Sequence, residues 1–283
     1  MRILVANIPA TEEESEGGQF LKTVVVPLWR RNLDLVKQKD TEFTFRFASS
    51  GMTHDAFSAF RYLPKLNPVA IFHAVVKAEK EGFDGAMIAC FGDPMLTESR
   101  QTVNIPVASL GESSMLLATM MGYKFGVVSP SPYVNNSIEQ RIDRYGLRDR
   151  SVGVRATPEK GDEQEMALMD AHHGIECFKK VGRELIADGA QVLIPGCGLM
   201  SPALRLAPGA EKEYLNGFTE VDGIPIVDVM GATLKMVEML VTLKRAGSRW
   251  VNPKGFYAEG APRRSEESGQ MMPEDEAPSF WDC

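Results

Sequence analysis

The stretch Ala190-Gln191-Val192-Leu193-Ile194-Pro195-Gly196-Cys197-Gly198 runs a short apolar segment into a cysteine flanked by glycines. Gly85-Ala86-Met87-Ile88-Ala89-Cys90-Phe91-Gly92-Asp93-Pro94 does the same in the first half of the chain. Apolar runs of this length bounded by turn residues read as strands buried on both faces. Such strands belong to parallel sheets covered by helices.

The pattern continues outward from both segments. Strands are expected over 3–6, 41–48, 86–90 and 106–109, then over 125–129, 151–155, 192–195 and 224–227. In 41–48, Phe43, Phe45 and Phe47 alternate with polar neighbours, as in a half-exposed strand. Helices are expected over 15–39, 69–81, 95–101 and 112–121, then over 135–145, 163–188 and 230–246. Several end at Gly82, Gly122, Gly146, Gly189 or Gly247, the residue type favoured just past a helix. The two rounds share one order, so the expected fold is α/β. It has two pseudo-symmetric lobes, with parallel sheets flanked by helices and the active site between the lobes. The boundaries are 1–111 for the first lobe, 112–122 for a bridging helix and 123–228 for the second lobe. Residues 229–247 form a helix returning to the first lobe, and 248–283 an extension. The stretch 263–278, rich in Glu, Ser, Pro and Met, favours disorder by composition. Phe280 and Trp281 would anchor it on this subunit or a neighbour.

Composition narrows the function. The 283 residues are 44% hydrophobic and 24% charged, with a net charge of −7. No basic stripe marks a nucleic-acid surface. The apolar stretches are strand-sized, so no membrane span is expected. Four cysteines without a CxxC pair suit free thiols in a reducing compartment, here the cytoplasm. Nucleotide-binding, phosphate-binding and serine-hydrolase motifs are absent. Adjacent His172 and His173 diverge on a helix and do not make a metal pair.

Ligands bind parallel sheets at the carboxyl ends of their strands, where both Cys90 and Cys197 fall. A thiolate and a thiol facing one carbon can remove a proton from one side and return one to the other. Glycines beside them let backbone N–H groups reach a ligand. Such chemistry requires no metal or pyridoxal cofactor. Against this stands the ordinary fate of a cysteine, as a small buried hydrophobe. Cys177, among apolar neighbours of its helix, reads that way, and Cys283 reads as incidental.

At these residues the chain resembles the hydantoin racemases of the aspartate/glutamate racemase superfamily. Ala89-Cys90-Phe91-Gly92-Asp93-Pro94 is similar to their first-cysteine motif, and Gly196-Cys197-Gly198-Leu199-Met200 to their second. Asn7-Ile8-Pro9, Gly111-Glu112-Ser113, Val127–Tyr133 and Pro225–Asp228 resemble further family segments over roughly 1–247. The resemblance implies racemisation at C5 of a 5-substituted hydantoin or a related compound, with Cys90 and Cys197 as the acid/base pair. It also implies that Asn7, Ser129, Ser131 and Tyr133 bind polar groups, and that the enzyme is a homo-oligomer. The amides of Phe91, Gly92, Gly198 and Leu199 would hold the enolate. The segments 17–40 and 51–68 are longer than in the family, and the second, with Met52, His54, Phe57, Phe60, Arg61 and Tyr62, would form a lid or a packed surface helix. Three alternatives stay open. One is an amino-acid racemase with Arg61 or Arg100 meeting a second carboxylate. Another is a maleate cis–trans isomerase, and the last a binding protein without catalysis.

Overall fold

The structure is a computed structural model of the chain and describes residues 1–49, 67–157, 171–252, 254 and 278–283. All but the last two residues of the expected lid at 51–68, the first eight residues of the helix expected over 163–188 and most of the tail lie outside them.

The first sheet has strand order β10-β2-β1-β3-β4: β1 (Arg2–Ala10), β2 (Glu42–Ala48), β3 (Gly85–Ile88), β4 (Val107–Ser109) and β10 (Phe280–Asp282). Its pairings are parallel except for β10. The second sheet is parallel, with order β6-β5-β7: β5 (Phe125–Ser129), β6 (Ser151–Ala156) and β7 (Val192–Pro195). Around the strands lie α1 (Glu16–Phe20), α2 (Val26–Asp34), α3 (Asn67–Lys80), α4 (Leu96–Thr102), α5 (Leu110–Met121), α6 (Pro132–Arg144), α7 (Ala171–Ala187), α8 (Met200–Leu206) and α9 (Val229–Arg245). This is the expected α/β architecture of parallel sheets flanked by helices.

The period-2 alternation of the strands sorts their side chains into layers. Ile3, Val5 and Met87 of the first sheet and Phe125, Val127, Val192 and Ile194 of the second share one core with Leu110, Leu234 and Trp29. The inner faces of the two sheets are therefore cemented together. The outer faces have their own layers. Leu4, Ala6, Ala86 and Ile88 pack on Ile71 and Val75 of α3, and Val128 and Leu193 on Ile175 and Phe178 of α7. Burying each Val, Leu, Ile, Phe or Met side chain among these contributes about 1.5–3 kcal/mol. Helix α9 packs on β3, β4, α2 and α5.

Three features differ from the sequence reading. The expected helix over 15–39 is shorter, and a π-helical segment, Leu21–Val25, joins α1 to α2. The expected strand 224–227 is a hairpin, β8 (Glu220–Val221) with β9 (Ile224–Pro225), and only Ile226 bridges to Leu193 of β7. Its turn holds Asp222 and Gly223 at positive φ, the Asp-Gly signature of a tight hairpin. Arg46 is 4% exposed rather than on a solvent face, because Asp282 (2.7 Å) and Glu81 (2.8 Å) pair with it. The anchor expected at Phe280 and Trp281 falls on this same chain: Trp281 stacks on Phe47, with ring centroids 4.5 Å apart, and is 6% exposed. The backbone of Cys283 exchanges two 2.9 Å hydrogen bonds with Phe45.

Candidate active site

Cys90 follows β3 and Cys197 follows β7, each half-buried where its strand opens into a turn. Strand β3 lies between β1 and β4, and Ala89 still donates to Ala6 O (2.9 Å), so the ladder carries the backbone up to the cysteine. On the other side, Gly196 N donates to Val128 O (2.7 Å) and fixes the approach to Cys197. The two loops abut. A Cβ on Gly198 would lie 3.1 Å from Ala89 O and 2.9 Å from a methyl of Leu110, so glycine is what lets the Cys197 loop close on the Cys90 loop. The thiols are near enough that Cys197 makes Cys90 harder to ionise.

Backbone donors face both sulfurs. Gly92 N points at Cys90 Sγ (3.2 Å) and Leu199 N at Cys197 Sγ (3.4 Å). The sequence reading gave these two amides to an enolate; here they are directed at the thiols, where they favour thiolate. Burial acts the other way and dominates. It pushes the Cys90 thiol up to about 12, against the Gly92 amide and the charge of Arg141. It also raises Cys197, against the amides of Leu199 and Met200.

Three groups around Cys90 went unrecognised in the sequence. Arg141 of α6 comes from the second lobe. A Cβ on Gly92 would lie 3.1 Å from Cys90 Sγ and 3.4 Å from Arg141 Nη2, so the guanidinium and the sulfur flank the same glycine. Nη1 of Arg141 is held by Ser137, through O (2.9 Å) and Oγ (3.3 Å). Among the described residues Arg141 forms no ion pair within hydrogen-bonding range. The second group is Asp93. Its carboxylate accepts from the amides of Gly111 (2.8 Å) and Glu112 (2.9 Å) and from the hydroxyl of Tyr145 (2.6 Å). Burial nonetheless raises its pKa. Tyr145 is the third group. Asp93 and Met95 both sit at positive φ, +47° and +55°, a conformation that costs non-glycine residues energy and persists only where surroundings hold it. The Asp93 hydrogen bonds supply that hold. The readable signal was Asp93-Pro94 directly after the cysteine; nothing in the sequence singled out Arg141.

The other expected residues are placed as follows. Asn7, near the carboxyl end of β1, is 5% exposed; its Nδ2 donates to Val5 O (2.9 Å), while its Oδ1 accepts nothing from the described residues. Ser129 Oγ is engaged with Asn135 Oδ1 and with Ser131 O (3.3 Å). Ser131 Oγ caps α6 by accepting from Tyr133 N (3.3 Å), while the Tyr133 side chain is 76% exposed. Phe91 is buried, and Gly198 O accepts from the Trp29 indole N–H (2.9 Å). Arg100 is paired with Glu112 (2.5 Å); Arg61 lies outside the described residues. Among the described residues no group of His, Cys, Asp and Glu forms a metal cluster, and no helix is long and apolar enough to cross a membrane.

Comparison with known proteins identifies the family and the fold. The family model for Asp/Glu/Hydantoin racemase matches residues 55–237. A hydantoin racemase of Pseudomonas sp. (strain NS671) is 30% identical over 226 residues, 71% of this chain and 84% of that protein. Among solved structures, the allantoin racemase of Klebsiella pneumoniae superposes with a TM-score of 0.70 at 22% identity, covering 92% of this chain and 94% of its own. The allantoin racemase AllR of Pseudomonas fluorescens gives 0.68, also at 22%, covering 93% and 98%. The fold is that of these racemases, the match to the family spans well over half of the chain, and the protein belongs to the Asp/Glu/Hydantoin racemase family as an enzyme of the isomerase class.

Proposed function

We propose that this racemase inverts the acidic carbon of a hydantoin-like ring by passing protons between two thiols. The observation that carries the reading is the pair of half-buried cysteines on abutting loops, each sulfur facing a backbone amide. In one direction the Cys197 thiolate takes the C5 proton, negative charge moves onto the adjacent carbonyl oxygen, and the Cys90 thiol returns a proton to the opposite face. The reverse direction exchanges the two roles. No net proton is gained or lost, so no cofactor enters the balance. A positioned acid/base contributes about 10²–10⁴-fold each.

Ring binding falls chiefly to Asn7, whose buried, unpartnered Oδ1 suits a ring N–H. Ser129 and Ser131 are engaged with their own loop, and Tyr133 would act from the rim. A second reading, racemisation of a free amino acid, is favoured by one observation: Arg141 stands beside Cys90 as a ready partner for a carboxylate.

The test is incubation of single enantiomers of 5-substituted hydantoins, and separately of aspartate and glutamate, in D₂O. Optical rotation and loss of the C5 proton signal are followed together, with Cys90→Ser and Cys197→Ser alongside. Racemisation of a hydantoin with deuterium uptake, lost in both variants, is the expected result. Turnover of the amino acids alone would replace the first reading with the second. Activity that survives loss of either thiol would end the two-thiol mechanism.

A further inference from the structure

Trp29 belongs to the first lobe, yet its indole N–H donates to Gly198 O, the carbonyl next to Cys197 in the second lobe (2.9 Å). Its ring is 2% exposed and lies nearly parallel to Phe47, at 6.3 Å and 5°, and against Phe45, at 5.9 Å and 24°. Phe47 in turn stacks on Trp281 of β10, at 4.5 Å and 20°. Strand β10 is fastened independently. Its residues pair with Arg46, Phe47 and Ala48, Arg46 grips Asp282, and the Trp281 indole N–H donates to Thr11 O (2.9 Å). A continuous aromatic column thus runs from the end of the chain to the carbonyl beside one active-site thiol.

We propose that Trp29 is a positioning residue for Cys197 and that the C-terminal strand, through Trp281 and Phe47, holds Trp29 in place, so that docking of the tail sets the geometry of the site. The Gly198 carbonyl fixes the turn in which Leu199 N faces the sulfur. Without the indole donor the turn is free to rotate that amide away. A tryptophan serving only to fill the core would need bulk but no such bond. The inference rests on Cys197 carrying a proton as proposed above.

The test separates the two ideas by reading thiol placement directly. Full-length Trp29→Phe and Trp281→Leu proteins are treated with iodoacetamide, and labelling of each cysteine is timed by peptide mass mapping. In Trp29→Phe, which keeps an aromatic ring and removes the donor, the Leu199 amide no longer favours thiolate, so Cys197 should label about fivefold more slowly, the equivalent of one net hydrogen bond. Any change at Cys90 should be smaller, and kcat should fall with KM little altered. Trp281→Leu should shift Cys197 in the same direction by a smaller factor. An unchanged or faster Cys197 rate in Trp29→Phe, or an equal change at all four cysteines, would overturn the positioning role. A wild-type rate in Trp281→Leu would remove the tail from it. Labelling is readable whether or not the protein turns over the substrate offered, so failure of the two-thiol reading appears separately, as unimpaired racemisation in Cys197→Ser.

Discussion

At the end of β3, Cys90 sits in a loop organised by charge: a half-buried Asp93 carboxylate, on a residue itself in the left-handed region, pins the turn, and a guanidinium reaches in from the opposite lobe. At the end of β7, Cys197 sits in a loop organised by backbone: the amides of Leu199 and Met200 face the sulfur, and an indole N–H from the other lobe holds the turn. The chain order places the two thiols equivalently and burial raises both, but the charge of Arg141 and the indole of Trp29, which set the two loops apart, come from elements outside the repeat. On the two-thiol mechanism proposed above, a carbon between the thiols would meet a different acid on each face. The forward and reverse reactions would then draw on unlike groups, although the overall equilibrium of a racemase treats its enantiomers alike.

Removing either thiol tests whether both loops are needed. Cys90→Ser and Cys197→Ser should each lower racemisation by about 10²–10⁴-fold in a polarimetric assay. An intact rate in one of them would reduce the comparison to a single working loop. Asp93→Asn tests the charged scaffold. An amide cannot accept at both of the oxygens that now serve Gly111, Glu112 and Tyr145. The expected loss is about 1–3 kcal/mol in urea unfolding.

Arg141→Leu sharpens the electrostatic side. Burial lifts Cys90 to about 12 and Arg141 pulls it back, so the variant thiol is still harder to ionise. Proton removal by Cys90 requires thiolate, so activity rises with pH, and the rising limb should move to higher pH in the variant. A displacement of one pKa unit corresponds to about a tenfold lower rate at neutral pH. A limb that stays put would detach Arg141 from Cys90. The same shift has a stability consequence. The folded protein keeps Cys90 protonated above the ordinary thiol pKa of about 8.5, so this contribution is whole below that pH and declines as pH rises toward 12. Tyr133→Phe should have the smallest effect, within about twofold in kcat/KM, as for most exposed positions away from packed features. A larger loss would bring the rim of the second lobe into the comparison.

The strands were legible because their apolar runs are short, β-rich and closed by turn residues; the cysteines were legible because they stand where those runs stop. What faces the sulfurs was not. Arg141 is one cation on an amphipathic helix whose Ile138 and Ile142 are buried, and its position acquires meaning only when the first lobe packs opposite. Arg46 looked solvent-facing in an alternating strand because both of its partners are remote: Glu81 follows α3, and Asp282 arrives from the far end of the chain. Phe280 and Trp281 signalled an anchor there, but nothing in the sequence named the edge of β2 as its place. The β8–β9 hairpin, by contrast, was written plainly in Val221-Asp222-Gly223-Ile224, and the expectation of one more parallel strand obscured it.

The π-helical segment Leu21–Val25 works as a phase shifter. A wider turn changes the angular register of everything downstream, and each residue of an α-helix advances the face by about 100°. Trp29 and Asn32, three apart, fall on one side of α2, where one meets Gly198 and the other donates to Asp228 at the start of α9 (3.0 Å). Deleting a single residue upstream would give a smoother helix and turn both side chains away from the second lobe. The irregularity is thus the price of a correct azimuth.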